Sequence, residues 1–188
     1  MAIGVREITR DVVRAQLAEA LCDVFLAQGF DETTVEDAAR AVGISRATFF
    51  RYFPSKDDAV IAAIHKSDFA DEVRALEPVE GESTWQLLRR VFDQNVREAE
   101  KNPPRLLALV KMISGSSSLR SQLARRRIDQ QGAFADALAE RLNDPFTAKV
   151  FVVTSLAAFD LAWREWSENP ERPLGVVVDA VFVRLQRA

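Results

Sequence analysis

Arg46, Arg51 and Lys56 are interleaved with Thr48, Phe50 and Tyr52 in the stretch SRATFFRYFPSK, residues 45–56. Guanidinium and ammonium groups bind phosphate oxygens, and a forked guanidinium also matches the two acceptors on a guanine edge. Hydroxyls add short hydrogen bonds, while rings and methyl groups can touch thymine methyls. The chemistry on offer is recognition of DNA rather than bond making. From Ala38 to Lys56 the cations Arg40, Arg46, Arg51 and Lys56 occur without any acid, in a chain of formal net charge −3. The same pattern also suits an ordinary helical hairpin with a solvated basic face.

The elements that must hold these residues are two short helices and a tight turn. Thr33 can cap the first, with Glu36 closing a capping box. Val35, Ala38, Ala39 and Val42 then give it one apolar side. Gly43 ends the helix, since only glycine turns left-handed without a steric penalty, and Ile44 plugs inward. Ser45 is a good N-cap for a second helix from Arg46 to Phe53, which Pro54 stops. With Phe49 and Phe53 as inward anchors, Arg46, Ala47, Phe50 and Arg51 point most nearly outward. Arg46 is then placed for guanine, and Ala47 and Phe50 for thymine methyls. The arrangement is a helix-turn-helix.

The string from Gly43 to Lys56, preceded by Thr33-Thr34-Val35 and Asp37-Ala38-Ala39, resembles the DNA-binding domain of TetR-family transcriptional regulators. Most members carry Tyr where Phe50 stands, so one phenolic hydroxyl is absent here. The resemblance implies that Thr34, Thr48, Tyr52 and Lys56 contact phosphates beside Ser45, Arg46, Ala47, Phe50 and Arg51. It also implies a homodimer on double-stranded operator DNA, most often a repressor, released by a small-molecule effector. Its C-terminal helices would pair as a four-helix bundle.

Hydrophobic residues make up 48% and charged residues 28% of the 188, the balance of a soluble globular chain. Seven Gly and seven Pro, mostly between periodic segments, predict helices with short breaks and an all-α fold. Residues 1–8 read as an arm. A helix capped at Thr9 or Asp11 runs to Gly29, and Phe30 closes a three-helix core with Phe49 and Phe53. Ser55 caps a long connecting helix reaching Leu76. Later helices start at Ser83 or Thr84, at Leu119 and at Asp144, and the last spans Leu174 to Leu185. Between them lie a short apolar piece, Leu106 to Ile113, and a loop, Ser114 to Ser118. The division is a DNA-binding domain, 1–56, and a helical ligand-binding and dimerisation domain, 57–188.

The helix from Asp144 to Asn169 is apolar on two sides. Phe146, Val150, Ala157 and Leu161 form one stripe; Val152, Leu156, Phe159, Trp163 and Trp166 form another. A surface helix in a monomer needs one stripe, so residues 144–188 are expected to build the homodimer interface. Trp85, Phe92, Asn95, Arg127, Gln130, Phe134 and Phe159 are the candidates for lining an effector pocket, being polar residues on apolar faces and their aromatic neighbours. Asp160, which interrupts the double-faced helix, is a further polar residue of this kind; Arg127 invites a small hydrophobic or anionic effector, or alternatively pairs with an internal acid or snorkels to water. In that case the second domain only dimerises or binds a protein partner.

Catalysis finds no support. His65 is the single histidine and reads as structural, and no phosphate loop, nucleophile elbow or metal cluster occurs. No cofactor is implied. Cys22, the one cysteine, permits no intrachain disulfide and reads as a buried thiol. No apolar run approaches the roughly 20 residues of a membrane span, and the N-terminus lacks a signal-peptide core. The expected location is the cytoplasm.

Overall fold

The computed structural model describes residues 5–64 and 68–187, so His65 and the first four residues of the expected arm lie outside the described residues. Among the described residues there are eleven α-helices and no strand. They divide between two compact units, Met1–Lys66 with Met112–Leu123, and Ser67–Lys111 with Ala124–Ala188.

In the first unit α1 (Val5–Gln28) packs on α2 (Val35–Ala41) and α4 (Lys56–Ile64), and α2 on α3 (Arg46–Tyr52). Helix α1 begins at Val5, upstream of the expected caps Thr9 and Asp11, and ends as expected at Gly29 with φ 88°. Leu21, Cys22, Phe25, Phe30, Phe49, Phe53 and Val60 are buried together with the alanines between them. Phe30 meets Phe25 edge-on at 5.4 Å, and Phe49 and Phe53 lie 5.7 Å apart. Each such ring contributes about 2–3 kcal/mol of transfer free energy on burial. The unit also holds residues Met112–Leu123, where Gln122 donates to Asp58 on α4 at 2.6 Å.

The expected single helix from Ser55 to Leu76 is not continuous. Ser55 does cap its start, accepting from Asp58 N at 3.1 Å. Further on, Asp68 is extended (φ −92°, ψ 122°) and its carboxylate takes the N–H of Ala70, founding a separate helix α5 (Phe69–Ala75). An aspartate that can satisfy a backbone donor from outside the helix favours a cap over a helix interior.

The second unit continues with α6 (Thr84–Val91), α7 (Asp93–Glu100), α8 (Pro103–Gly115), α9 (Ser117–Leu142), α10 (Pro145–Glu168) and α11 (Leu174–Arg187). A capping box of Ser83 and Gln86 starts α6. Phe92 then separates α6 from α7, its N–H turned to Arg89 O in a tightened turn. The expected loop at 114–118 shrinks to Ser116, whose hydroxyl accepts from Leu119 N and so caps α9. Asp144 caps α10 through the N–H groups of Phe146 and Thr147, both at 3.1 Å. Trp166 Nε1 donates to Arg172 O at 2.9 Å and closes the bend into α11, whose Gly175 N–H is taken by Glu100.

The core of this unit is aromatic. Phe92 stacks on Phe159 at 4.3 Å and is approached by Phe69, Phe134 and Phe182. Helix α10 crosses it with Val152, Leu156, Phe159 and Trp166 buried and Phe146, Val150 and Leu161 exposed, so the two stripes separate as expected. By length and composition α10 is apolar enough to cross a membrane, although Lys149 and Asp160 interrupt its apolar run, and the buried core helix of a soluble protein has the same character.

Candidate nucleic-acid interface and interior site

The turn between α2 and α3 is set by local hydrogen bonds. Thr34, not Thr33, caps α2: its hydroxyl accepts from Asp37 N at 3.2 Å and donates to the Asp37 carboxylate at 2.6 Å. Thr33 is buried and donates to Gly29 O instead, which ties α2 to the end of α1. The Thr34 hydroxyl, and secondarily the nearby Arg40 guanidinium, hold the Asp37 carboxyl below its ordinary value. Gly43 has φ 77°, and the following Ile44 N–H returns to Ala39 O at 2.9 Å. Ser45 caps α3, accepting from Thr48 N at 3.0 Å. Phe53, before Pro54, is already extended at φ −135°, as a pre-proline residue must be to avoid the ring.

This frame presents the expected reading face. Phe49 and Phe53 are fully buried, while Arg46, Ala47, Phe50 and Arg51 are exposed and Thr34 and Ser45 join them at the helix starts. Thr48 and Tyr52 are half-buried at the edges. Arg46 is not loose: its Nε lies 2.7 Å from Glu36 on α2, and its guanidinium sits 5.2 Å from the Phe50 ring centre. Arg51 lies similarly over Tyr52. Lys56 turns back into the unit, its ammonium donating to Phe30 O at 2.5 Å and lying 4.3 Å from the Phe30 ring centre. Glu36 therefore does not act as the expected cap partner of Thr33; its pairing with Arg46 is a tertiary contact that helical spacing does not announce.

In the second unit the pocket candidates divide. Arg127 on α9 meets Phe159 on α10, Phe134 on α9 meets Phe92, and Phe92 stacks on Phe159; Gln130 is buried on α9, but Trp85 stands apart against Phe151 and Phe182. Asn95 is half-buried on α7. Arg127 Nη2 donates to half-exposed Asp160 at 2.8 Å, so the guanidinium does find an acid, and it lies 5.7 and 5.9 Å from the ring centres of Phe69 and Phe159. Three buried polar atoms here lack a hydrogen-bond partner among the described residues: Arg127 Nε, Gln130 Oε1 and Trp163 Nε1. Helical spacing places Trp163 in the core stripe alone, since a Trp in such a pattern carries no mark of what its N–H meets. A separate open groove of about 580 Å³ runs past Trp85, Arg89, Arg90, Phe182 and Val183. Its cations are engaged, Arg89 with Asp93 and Asp179 and Arg90 with Glu82.

On α10 the outer side carries Phe146, Val150, Val153, Ala157 and Leu161, all exposed. Phe146 is 77% exposed, an unusual state for a phenylalanine fixed on a capped helix. Helix α11, packed against α10, adds exposed Val176 and Val183.

Comparison with known proteins agrees with this geometry at both ends of the chain. Residues 17–63 match the model of the bacterial regulatory proteins of the TetR family, and residues 82–188 match that of the MftR C-terminal domain. The transcriptional regulator TcmR of Streptomyces glaucescens is 29% identical over 173 residues, 87% of this chain and 76% of that protein. MftR of Mycobacterium tuberculosis is 35% identical over 68 residues, 36% of this chain and 32% of that protein. Among solved structures, the FadR repressor of Thermus thermophilus, in complex with lauroyl-CoA, shares the fold with a TM-score of 0.61 at 23% identity, covering 92% of each chain. These relatives are regulators rather than enzymes. The first unit carries the family's helix-turn-helix and the MftR-type model spans the helices from α6 onward, so this chain belongs to the TetR family of transcriptional regulators.

Proposed function

We propose that this regulator is a homodimeric repressor, acting in the cytoplasm and released from its operator by a small hydrophobic or anionic effector. The observation that carries the reading is the face of α3, where Arg46, Ala47, Phe50 and Arg51 are exposed above a fully buried Phe49 and Phe53. A single helix of this length makes too few base contacts to specify a site, so two copies are needed. The outer stripe of α10 supplies a surface for pairing through residues 144–188. In this reading Thr34, Thr48, Tyr52 and Lys56 contribute phosphate contacts beside Ser45, and residues 1–56 act as the DNA-binding domain of the chain.

The effector would enter the second unit near Arg127, Gln130, Phe134 and Phe159. An acyl-CoA is one candidate class, since the Thermus thermophilus FadR structure holds lauroyl-CoA. Effector and operator must then weaken each other by the same factor. A second reading, in which the second unit only dimerises or binds a protein, is favoured by how fully the rings of Phe92 and Phe159 fill the core. Titration of operator DNA with the dimer, in the absence and presence of acyl-CoAs and neutral lipophiles, tests the proposal. Operator affinity that no ligand changes leaves the second reading; no sequence-dependent binding at all removes both.

A further inference from the structure

Arg46 and Glu36 present a polar edge on the helix-turn-helix that their own pairing does not exhaust. Glu36 stands in the first turn of α2, and Arg46 opens α3 directly after its cap Ser45. Glu36 Oε1 lies 2.7 Å from Arg46 Nε, and both side chains stay open, at 49% and 64% exposure. The ring of Phe50, one turn along α3, lies 5.2 Å from the guanidinium and meets buried Phe49 edge-on at 5.4 Å. Carboxylate and ring together hold the guanidinium at its Nε side and over the ring. Among the described residues, its two Nη groups and the second carboxylate oxygen of Glu36 have no hydrogen-bond partner. An exposed pair of this kind adds little to folding. An acid on a surface that meets a polyanion also weakens binding, unless it contacts something there.

The major-groove edge of a G·C pair offers two acceptors, guanine N7 and O6, and then a donor, the cytosine N4 amino group. The Arg46–Glu36 pair offers the complement in the same order: two Nη donors, and beyond them, on the Nε side, a carboxylate acceptor. We infer that the pair reads both bases of one G·C pair in each half-site, Arg46 taking guanine N7 and O6 and Glu36 accepting from cytosine N4. An A·T pair fails twice, since adenine N6 is a donor facing the guanidinium and thymine O4 an acceptor facing the carboxylate. This rests on the reading of α3 as the base-reading helix, and it adds a second specificity residue contributed by α2.

The test selects operator duplexes from a random-sequence pool with the full-length protein, and Arg46→Ala then locates the base pair at which preference is lost. Glu36→Ala should weaken binding to the selected operator about tenfold, with circular dichroism unchanged and random duplexes bound as well as before or better. The opposite signs are informative, because losing an acid alone strengthens binding to any DNA. Glu36→Gln keeps an acceptor oxygen and should hold operator affinity within about threefold of the wild type. The deciding step replaces the cytosine of the located pair by 2-pyrimidinone, which lacks the N4 amino group. The wild type should lose about tenfold on this duplex and Glu36→Ala about twofold at most, the contact being already absent. Any weakening of the duplex itself is common to both proteins and cancels. Equal losses by both proteins make Glu36 a positioning residue for Arg46 and overturn the inference. So does a located pair other than G·C, or a Glu36→Ala protein that binds the operator as tightly as the wild type. A wild type that enriches no sequence from the pool is a different failure, that of α3 as a reading helix, and takes the inference with it.

Discussion

Arg46 on α3 and Glu36 on α2 are joined at 2.7 Å across the helix-turn-helix, with Arg46 also lying over the Phe50 ring. Both side chains are largely exposed, at 64% and 49%, so the pair adds little to stability. What it does is restrict the guanidinium of the residue best placed to read a base. If Arg46 reads a base as proposed, the acid beside it also repels phosphate, and random DNA should gain less from Arg46 than a matched guanine does.

Removing either partner should therefore have opposite signatures. Arg46→Ala is expected to cost about 1–3 kcal/mol on the specific operator and to relax preference at one base pair per half-site. Glu36→Gln should raise affinity for random DNA and narrow the gap between random and specific sites. Binding measured on operator and random duplexes at several salt concentrations separates the two. An Arg46→Ala protein that loses specific and random binding equally would have no base-reading role at that position.

Lys56 has a duty in the fold, and one substitution tests whether it also has the proposed one on DNA. Its ammonium holds the carbonyl of Phe30 and covers that ring, so Lys56→Ala should lower the thermal midpoint, a charged hydrogen bond being worth about 1.5–3 kcal/mol before screening of this half-buried group. If it also reaches a phosphate in the complex, the salt dependence should shallow by about one unit for each phosphate that Lys56 no longer neutralises. A changed midpoint with an unchanged salt slope assigns Lys56 to the fold alone.

The Thr34 hydroxyl gives a proton-linked prediction. It donates to Asp37 and, with Arg40, keeps that carboxyl below the ordinary 3.8 of an aspartate. The charged form is the one favoured in the folded state, so its contribution is present above 3.8 and is lost as pH falls through the lowered value. Thr34→Val should move the Asp37 titration upward, toward the ordinary value, as followed by carbon-detected NMR of the carboxyl. A titration that stays where it was would remove Thr34 as the cause.

These cases also show which features are legible in the chain itself. Gly43, Ser45, Pro54 and the inward Phe49 and Phe53 act within a few residues of themselves, and their roles follow from type and spacing. The two stripes of α10 are equally plain, because a helical period converts directly into a face. Four features are not. Asp68 breaks the connecting helix because a carboxylate can end a helix as well as decorate one, and Thr34 takes the cap from its neighbour Thr33. Glu36 with Arg46, and Arg127 with Asp160, are pairs across separate helices, and a string of residue types holds no distance between them.

The exposed stripe on α10 supplies the last prediction. Phe146, Val150, Val153, Ala157 and Leu161 recur every three or four residues over the outer side of α10. A contiguous apolar surface of this kind marks an interaction site in a soluble protein. Phe159 would be a poor test position, since it is buried in the core at 2% exposure and a charge there should unfold the unit. Val150 is 50% exposed, so Val150→Glu places a charge on the stripe without entering the core. The expected result is a folded monomer by sedimentation and circular dichroism, whose operator affinity falls by at least about a hundredfold because the two reading helices no longer bind as one unit. Leu161→Lys, on the same stripe, should behave alike. A wild-type protein that sediments as a folded monomer at micromolar concentration would mean that this face is covered by something other than a second copy.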